Sequence, residues 1–336
     1  MTNRRKQDID YVKAILQAGS FIGATSILHL TQPAISQCIA KIEKEFGIQI
    51  FNRNVRPVTL TNEGRYWLEV EEQIETIRDR RQMYFSDLQE KVVGKLRIGT
   101  NQCRTATVLA DVLPSFAHKY PDVQLELIED GIKTLGSRVL KGDMDFCLTL
   151  ESFVTDEMDS RVLMNENLLL AVPPQHRLAA RANAYTAEHP GNFLPISFEE
   201  VAKEQFVLLK RGLKMHDYFF DLCHKYGTEP HIMMLTESVT TILELVSKGL
   251  CCGIVPDSIV LYKRQEPSPG FYSLQHEFPV NRVVAAWGKN LYLAKSARLM
   301  IDMIVENQKR IEANRLSAIS NLHPASAATA LGSFIE

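Results

Sequence analysis

The sequence predicts a mixed α/β protein in three parts: a small head with a winged helix-turn-helix, one long helix, and a large α/β body. Three observations predict it. Behind a Pro-containing first turn, residues 32–46 carry apolar side chains at helical spacing. A stretch free of Gly and Pro runs from Arg65 to Glu90. From Lys95 onward, short apolar runs alternate with helical patterns. At 336 residues, 45% hydrophobic and 23% charged, the chain has the composition of a folded protein and the length for two or three domains.

In the head, Thr31 is placed to cap a helix and Pro33 sits in its first turn, where a missing N–H costs nothing. Ile35, Ile39, Ile42 and Phe46 follow at spacings of 4, 3 and 4, one apolar stripe. The other face carries Gln32, Pro33, Ser36, Gln37, Ala40 and Lys41, side chains suited to a DNA major groove. An ordinary helical hairpin accounts for the same pattern. A shorter helix precedes it, roughly Ile22 to His29, with Ala24 and Thr25 for close packing. Ile48 to Leu60 alternates loosely and is broken by Asn52–Pro57, as a β-hairpin wing would be. Its Arg53 and Arg56 are candidates for phosphate or minor-groove contact. Residues 1–62 hold eight Lys/Arg against four Asp/Glu, a net +4; with −2 overall, the remainder carries −6. A basic head on an acidic body suits polyanion binding, although +4 is unexceptional by itself.

Thr61 can cap the next helix, Asn62 to about Glu90. Trp67, Val70, Ile74, Ile77, Arg81, Tyr84 and Leu88 form a heptad seam with one Arg interruption. Such a seam pairs with a second copy or packs on its own body. Val92–Lys95 is a hinge. Strands are expected at Lys95–Gly99, Pro121–Glu129 and Met144–Leu150, with helices at Thr105–Tyr120 and Gly131–Lys141. A second unit follows, with strands at Leu168–Val172, Phe206–Leu209 and Cys252–Val255 and helices at Leu213–Tyr226 and Thr240–Lys248. Arg282–Trp287 and a helix at Ala294–Asn307 return to the first unit. The alternation argues for parallel sheets. His176–Glu199 reads as a surface excursion. Residues 308–336 start as a polar helix and end in an Ala/Ser-rich tail.

The head resembles that of the LysR-type transcriptional regulators. The resemblance is carried by Gly19-Ser20-Phe21, Thr31-Gln32-Pro33-Ala34-Ile35-Ser36, Ile42-Glu43, Phe46-Gly47, Phe51-Asn52-Arg53 and Leu60-Thr61 through Gly64. It continues through Leu113-Pro114-Ser115-Phe116, Tyr120-Pro121 and Gly142-Asp143-Met144-Asp145 to about residue 306. Thr25, Ile42, Phe46 and Ile50 depart from the usual residues with tolerable volume. The resemblance implies a winged helix-turn-helix over 1–61, a dimerisation helix over 62–91, and an effector-binding domain over 92–307 ahead of the tail. The last has a periplasmic-binding-protein-like arrangement, subdomain I over 95–167 and 282–307 and subdomain II over 168–281. The expected partners are double-stranded DNA with a near-palindromic operator, a small-molecule effector such as an organic acid, and further copies as a homodimer or homotetramer; contact with RNA polymerase stays open. DNA-binding candidates are Ser20, Thr31, Gln32, Pro33, Ser36, Gln37, Lys41, Arg53 and Arg56.

Position alone suggests the cleft lining: Thr100, Asn101, Gln102, Cys103 and Arg104 after the first strand, Ile132 at a helix start, Thr149 and Leu150 at a strand end, Lys210 and Arg211 leaving another strand. Arg104, Lys210, Arg211 and Lys214 could together hold a carboxylate. Cys103 beside Arg104 is a candidate for a lowered thiol pKa, against the plainer reading that it packs. The six cysteines lack metal-ligand spacing, and no nucleophile elbow, P-loop, dinucleotide fingerprint or HExxH string appears. No enzyme activity, cofactor or metal is expected. No apolar run reaches transmembrane length and the charged N-terminus is unlike a signal peptide, so a cytoplasmic protein is expected.

Overall fold

The structure, a computed structural model, describes residues 2–262 and 267–322. The chain divides into two compact units, with a boundary between Gly94 and Lys95 and with Lys141–Asp143 grouped with the first.

The first unit begins with α1 (Thr2–Ala18), followed by α2 (Ala24–Leu28) and α3 (Gln32–Phe46). The sequence-based reading lacks α1, whose neighbouring Tyr11, Val12, Ala14 and Ile15 are all buried and blur a single stripe. Val12, Ile15, Ala24, Ile35, Ile39 and Ile42 form one core with Ile50, Phe51 and Trp67. Thr31 holds the N-cap position in extended backbone, but its hydroxyl makes no cap hydrogen bond, contrary to expectation. Gly47, at φ 67°, ends α3 in the left-handed conformation that costs glycine least. Phe46 is 42% exposed rather than part of the buried stripe; it packs edge-on against Trp67. The wing is an antiparallel pair, β1 (Phe51–Asn52) with β2 (Thr59–Leu60).

The long helix α4 (Asn62–Leu88) starts where expected, with the Thr61 hydroxyl accepting from the Gly64 N–H at 2.9 Å. Gly64 is required there: a Cβ would lie 2.1 Å from the Ile50 carbonyl oxygen. Trp67 belongs to the head core and so leaves the seam. Val70 and Ile74 are half-buried, while Ile77, Arg81, Tyr84 and Leu88 are exposed.

The second unit holds two mixed sheets, not the parallel sheets expected. β3 (Gly94–Thr100) leads through α5 (Gln102–Arg104) and a π-turn, Thr105–Leu109, to α6 (Leu113–Lys119). The single helix expected at 105–120 is therefore broken. Next come β4 (Val123–Glu129), α7 (Ile132–Lys141), β5 (Phe146–Leu150) and β6 (Met158–Glu166). β7 (Leu168–Val172) enters the second sheet, with α8 (Ala179–Glu188), β8 (Leu194–Pro195), β9 (Phe206–Leu209), α9 (Lys214–Lys225), β10 (Ile232–Thr236), α10 (Val239–Ser247), β11 (Cys252–Pro256), α11 (Asp257–Tyr262) and β12 (Gly270–Ser273). β13 (Asn281–Gly288) and α12 (Lys295–Leu322) close the first sheet's subdomain. Strand orders are β4-β3-β5-β13-β6 and β10-β9-β11-β7-β12-β8. β13, on which the chain returns to the first sheet, runs antiparallel to β5 and β6; β7, on which it enters the second, runs antiparallel to β11 and β12.

Leu168–Val172 is buried on both faces. Leu168, Leu170 and Val172 join one core, Leu169 and Ala171 another, the two-residue period of a central strand. The segment 176–199 is no mere excursion: α8 lays Ala179 and Ala182 on that first core, and Ile196 and Phe198 enter it. α12 carries the expected closing helix on to Leu322; the Ala/Ser-rich end lies outside the described residues.

Candidate functional site

Two surfaces carry chemistry, one on each unit. On the first, the buried stripe of α3 turns its opposite face to solvent. Gln32, Pro33, Gln37, Ala40 and Lys41 are exposed, and Ser36 is half-buried. The Gln32 amide donates to the Ser36 hydroxyl at 2.9 Å, so the two are pre-oriented together. Glu43 ties the wing to α3: its Oε1 accepts from the Ile50 N–H at 2.9 Å, its Oε2 from Arg53 at 2.8 Å. The Arg53 guanidinium also lies 5.2 Å over the Phe21 ring. Arg53 is therefore held in place, whereas Arg56 is simply exposed. Ser20 is half-buried, its hydroxyl accepting from the Gly23 N–H at 2.9 Å. Thr31 is exposed at the start of α3.

On the second unit, a cavity of about 220 Å³ lies between the two sheets at the carboxyl ends of β3, β5, β9 and β11. Of the residues expected there, Asn101, Gln102, Cys103, Arg104, Ile132 and Leu150 line it. Thr100 and Thr149 are buried in their strands outside the lining. Lys210 and Arg211 are exposed and also outside it. Lys210 pairs with Glu237 at 2.9 Å.

Arg104 does not offer its charge to a ligand. It is buried and forms a two-pronged ion pair with Glu166, Nη2 to Oε2 at 2.7 Å and Nη1 to Oε1. The Ser258 hydroxyl donates to the same Glu166 at 2.5 Å. Burial alone would raise the Glu166 carboxyl; the Arg104 charge and the Arg104 and Ser258 hydrogen bonds overcome it and hold the carboxyl below its usual range. Burial likewise opposes the Arg104 charge, and Glu166 more than restores it. Beside this pair, Asn167 crosses between the sheets, bonded through its N–H and its side-chain amide to Asp257, both at 3.2 Å. Of the expected carboxylate clamp of Arg104, Lys210, Arg211 and Lys214, Lys214 alone lines the cavity without a carboxylate partner.

Cys103 packs against the core of the second sheet, the plainer of its two readings. Burial pushes its thiol up; the Arg104 charge works the other way but Glu166 offsets it. Sequence reasoning missed Lys133, Phe153, Met215, Tyr218 and Val239, all of which line the cavity. Their signal was the start of a helix or the end of a strand, legible only once the two sheets face each other.

Residues 7–65 match the bacterial regulatory helix-turn-helix protein, lysR family, and residues 89–309 the LysR substrate binding domain. The chain belongs to the LysR family. It is a DNA-binding transcriptional regulator with an effector-binding domain. An uncharacterized HTH-type regulator of Bacillus subtilis, YcgK, is 27% identical over 310 residues, 90% of this chain and 94% of that protein. The fold is shared with CbnR bound to its target DNA (TM-score 0.65, 20% identity, 90% of this chain and 98% of that one). It is shared too with a full-length OxyR variant from Pseudomonas aeruginosa (TM-score 0.61, 19% identity, 89% and 96%). As a LysR-type regulator the chain takes a DNA operator and a small-molecule effector as partners. Among its described residues, no helix is long and apolar enough to cross a membrane.

Proposed function

We propose that this LysR-type regulator reads its operator through Gln32, Ser36, Gln37 and Lys41 on α3, while Arg53 and Arg56 hold phosphates or the adjacent minor groove. Thr31, Pro33 and Ser20 set the entry of that helix. The observation that carries this reading is the two-faced α3: three buried isoleucines on one side, exposed amides and a lysine on the other. Two copies pair through the exposed seam of α4 and so place two heads on one duplex. The effector is a small organic acid in the cavity of the second unit, and the protein works in the cytoplasm.

Selection from a random duplex library with the full-length protein tests this. The expected outcome is a two-fold symmetric motif with half-sites about one helical turn, or a multiple of it, apart. Recovery of unrelated sequences, with affinity set only by salt, would mean that α3 does not read bases.

A further inference from the structure

The cavity of the second unit has an apolar wall and an unbalanced charge. Leu150, Phe153, Leu209, Met215, Tyr218 and Val239 supply the wall. Four charged side chains besides Arg104 line it: Lys133, Glu166, Lys214 and Glu237. The carboxylates are spent, Glu166 on Arg104 and Ser258, Glu237 on Lys210. The lysines are not. Lys214, at the start of α9, reaches across to the other subdomain and donates to the Ser152 hydroxyl at 2.9 Å, with its ammonium 5.1 Å over the Tyr218 ring. Both partners are neutral. Lys133, at the start of α7, reaches the opposite way: its ammonium lies 3.7 Å from where a Gly212 Cβ would be. No carboxylate pairs with it among the described residues.

We infer that the effector is an amphiphilic monocarboxylic acid whose carboxylate displaces Ser152 from Lys214 and lies beside Lys133, with its apolar body on the wall of the cavity. This rests on the reading of the cavity as the effector site. An ammonium bonded to a carboxylate is held more strongly than one bonded to a hydroxyl, so the exchange favours the acid. The first turns of α7, α9 and α10 also line the cavity, and the positive ends of their helix dipoles add to the preference for a negative group. A cavity of about 220 Å³ takes a single ring or short chain with its acid arm; a dry cavity of roughly 150 Å³ already holds benzene. Sugars and polyphosphates would leave the apolar wall uncovered and polar groups unpaired. Lys214 thus keeps the role that its position in the sequence suggested, with Lys133 in place of Arg104, Lys210 and Arg211.

The test is calorimetric titration of the full-length protein at neutral pH with butyrate, hexanoate, benzoate and 3-phenylpropionate, each beside its primary amide, and with citrate and inorganic phosphate. At least one acid should bind, its amide should not, and Lys214→Met should weaken the acid roughly ten- to a hundredfold. Lys214→Arg should keep it. Ser152→Ala removes the internal competitor and should tighten it, an effect that a merely structural Lys214 would not produce. Silence from every acid, equal binding by an amide, tighter binding of citrate or phosphate, or indifference to Lys214→Met overturns the inference. Thr240→Trp, which fills the cavity from α10, separates this from the reading beneath it. An acid that still binds that variant sits elsewhere, and the cavity reading fails. A neutral amide that it displaces leaves the cavity standing as the site and removes only the acid.

Discussion

At the residue scale, Glu166 controls the floor of the cavity. Its carboxyl titrates below the ordinary glutamate value of about 4.3 because Arg104 and Ser258 outweigh its burial. Between the two values the unfolded chain binds the proton and the fold does not. This contribution to stability is therefore complete above the unfolded value and is lost as pH falls through the folded one. Glu166→Gln should remove that acid dependence, and it leaves Arg104 buried without its partner. Urea unfolding at neutral pH should show a loss of about 3–5 kcal/mol; an unchanged midpoint would mean that water reaches the guanidinium. Gly64 gives a second residue-scale prediction. Gly64→Ala puts a Cβ 2.1 Å from the Ile50 oxygen, so α4 must shift off the wing, and the same measurement should show a loss of about 1–3 kcal/mol. The two cases differ in legibility. Gly64 closes a run, Leu60-Thr61 to Gly64, that stood out in the sequence. The Arg104–Glu166 pair spans 62 positions, and no spacing rule couples them.

At the element scale, α4 and the wing carry testable surfaces. Ile77 is 63% and Leu88 65% exposed, large apolar side chains that a partner helix would cover. Ile77→Glu should shift sedimentation from dimer toward monomer or aggregate; a wild-type-like dimer would move the contact off this helix. In the wing, Arg56→Ala should weaken binding to every duplex and lower the salt slope by about one. Arg53→Ala also releases Glu43, its 2.8 Å partner, so it should cost more than Arg56→Ala on all duplexes. Anisotropy titrations over a salt series separate the two. Helix and strand positions were largely legible: β7 and β9 lie where their apolar runs put them, and α4 starts at its Thr61 cap. Strand direction was not. The sequence-based reading left out β6, β10 and β12, and β13 pairs with β5 across more than 130 positions. Mixed sheets therefore replaced the parallel ones that simple alternation implies. The segment 176–199 misled for a related reason: its short Ala-rich helix has little apolar bulk, yet small side chains are what let α8 lie close on β12.

At the scale of the whole molecule, a reading head on one unit and a ligand cavity on the other make a regulator only if each does its own chemistry. The head's chemistry is the more legible, since Gln32, Ser36, Gln37 and Lys41 share one exposed face of a single helix. The cavity's lining comes from many separate elements, and once the sheets were in place Lys214 stayed among its free cations while Lys133 replaced Lys210 and Arg211. The most direct test of the central claim uses a duplex from the random-library selection and its scrambled counterpart, measured at one salt concentration with wild type, Gln32→Ala, Ser36→Ala and the double variant. Each single change should cost roughly 1–3 kcal/mol on the selected duplex and little on the scrambled one. Because Gln32 donates to Ser36, the double variant should lose less than the sum of the two. Equal losses on both duplexes, or none on either, would contradict sequence reading by α3.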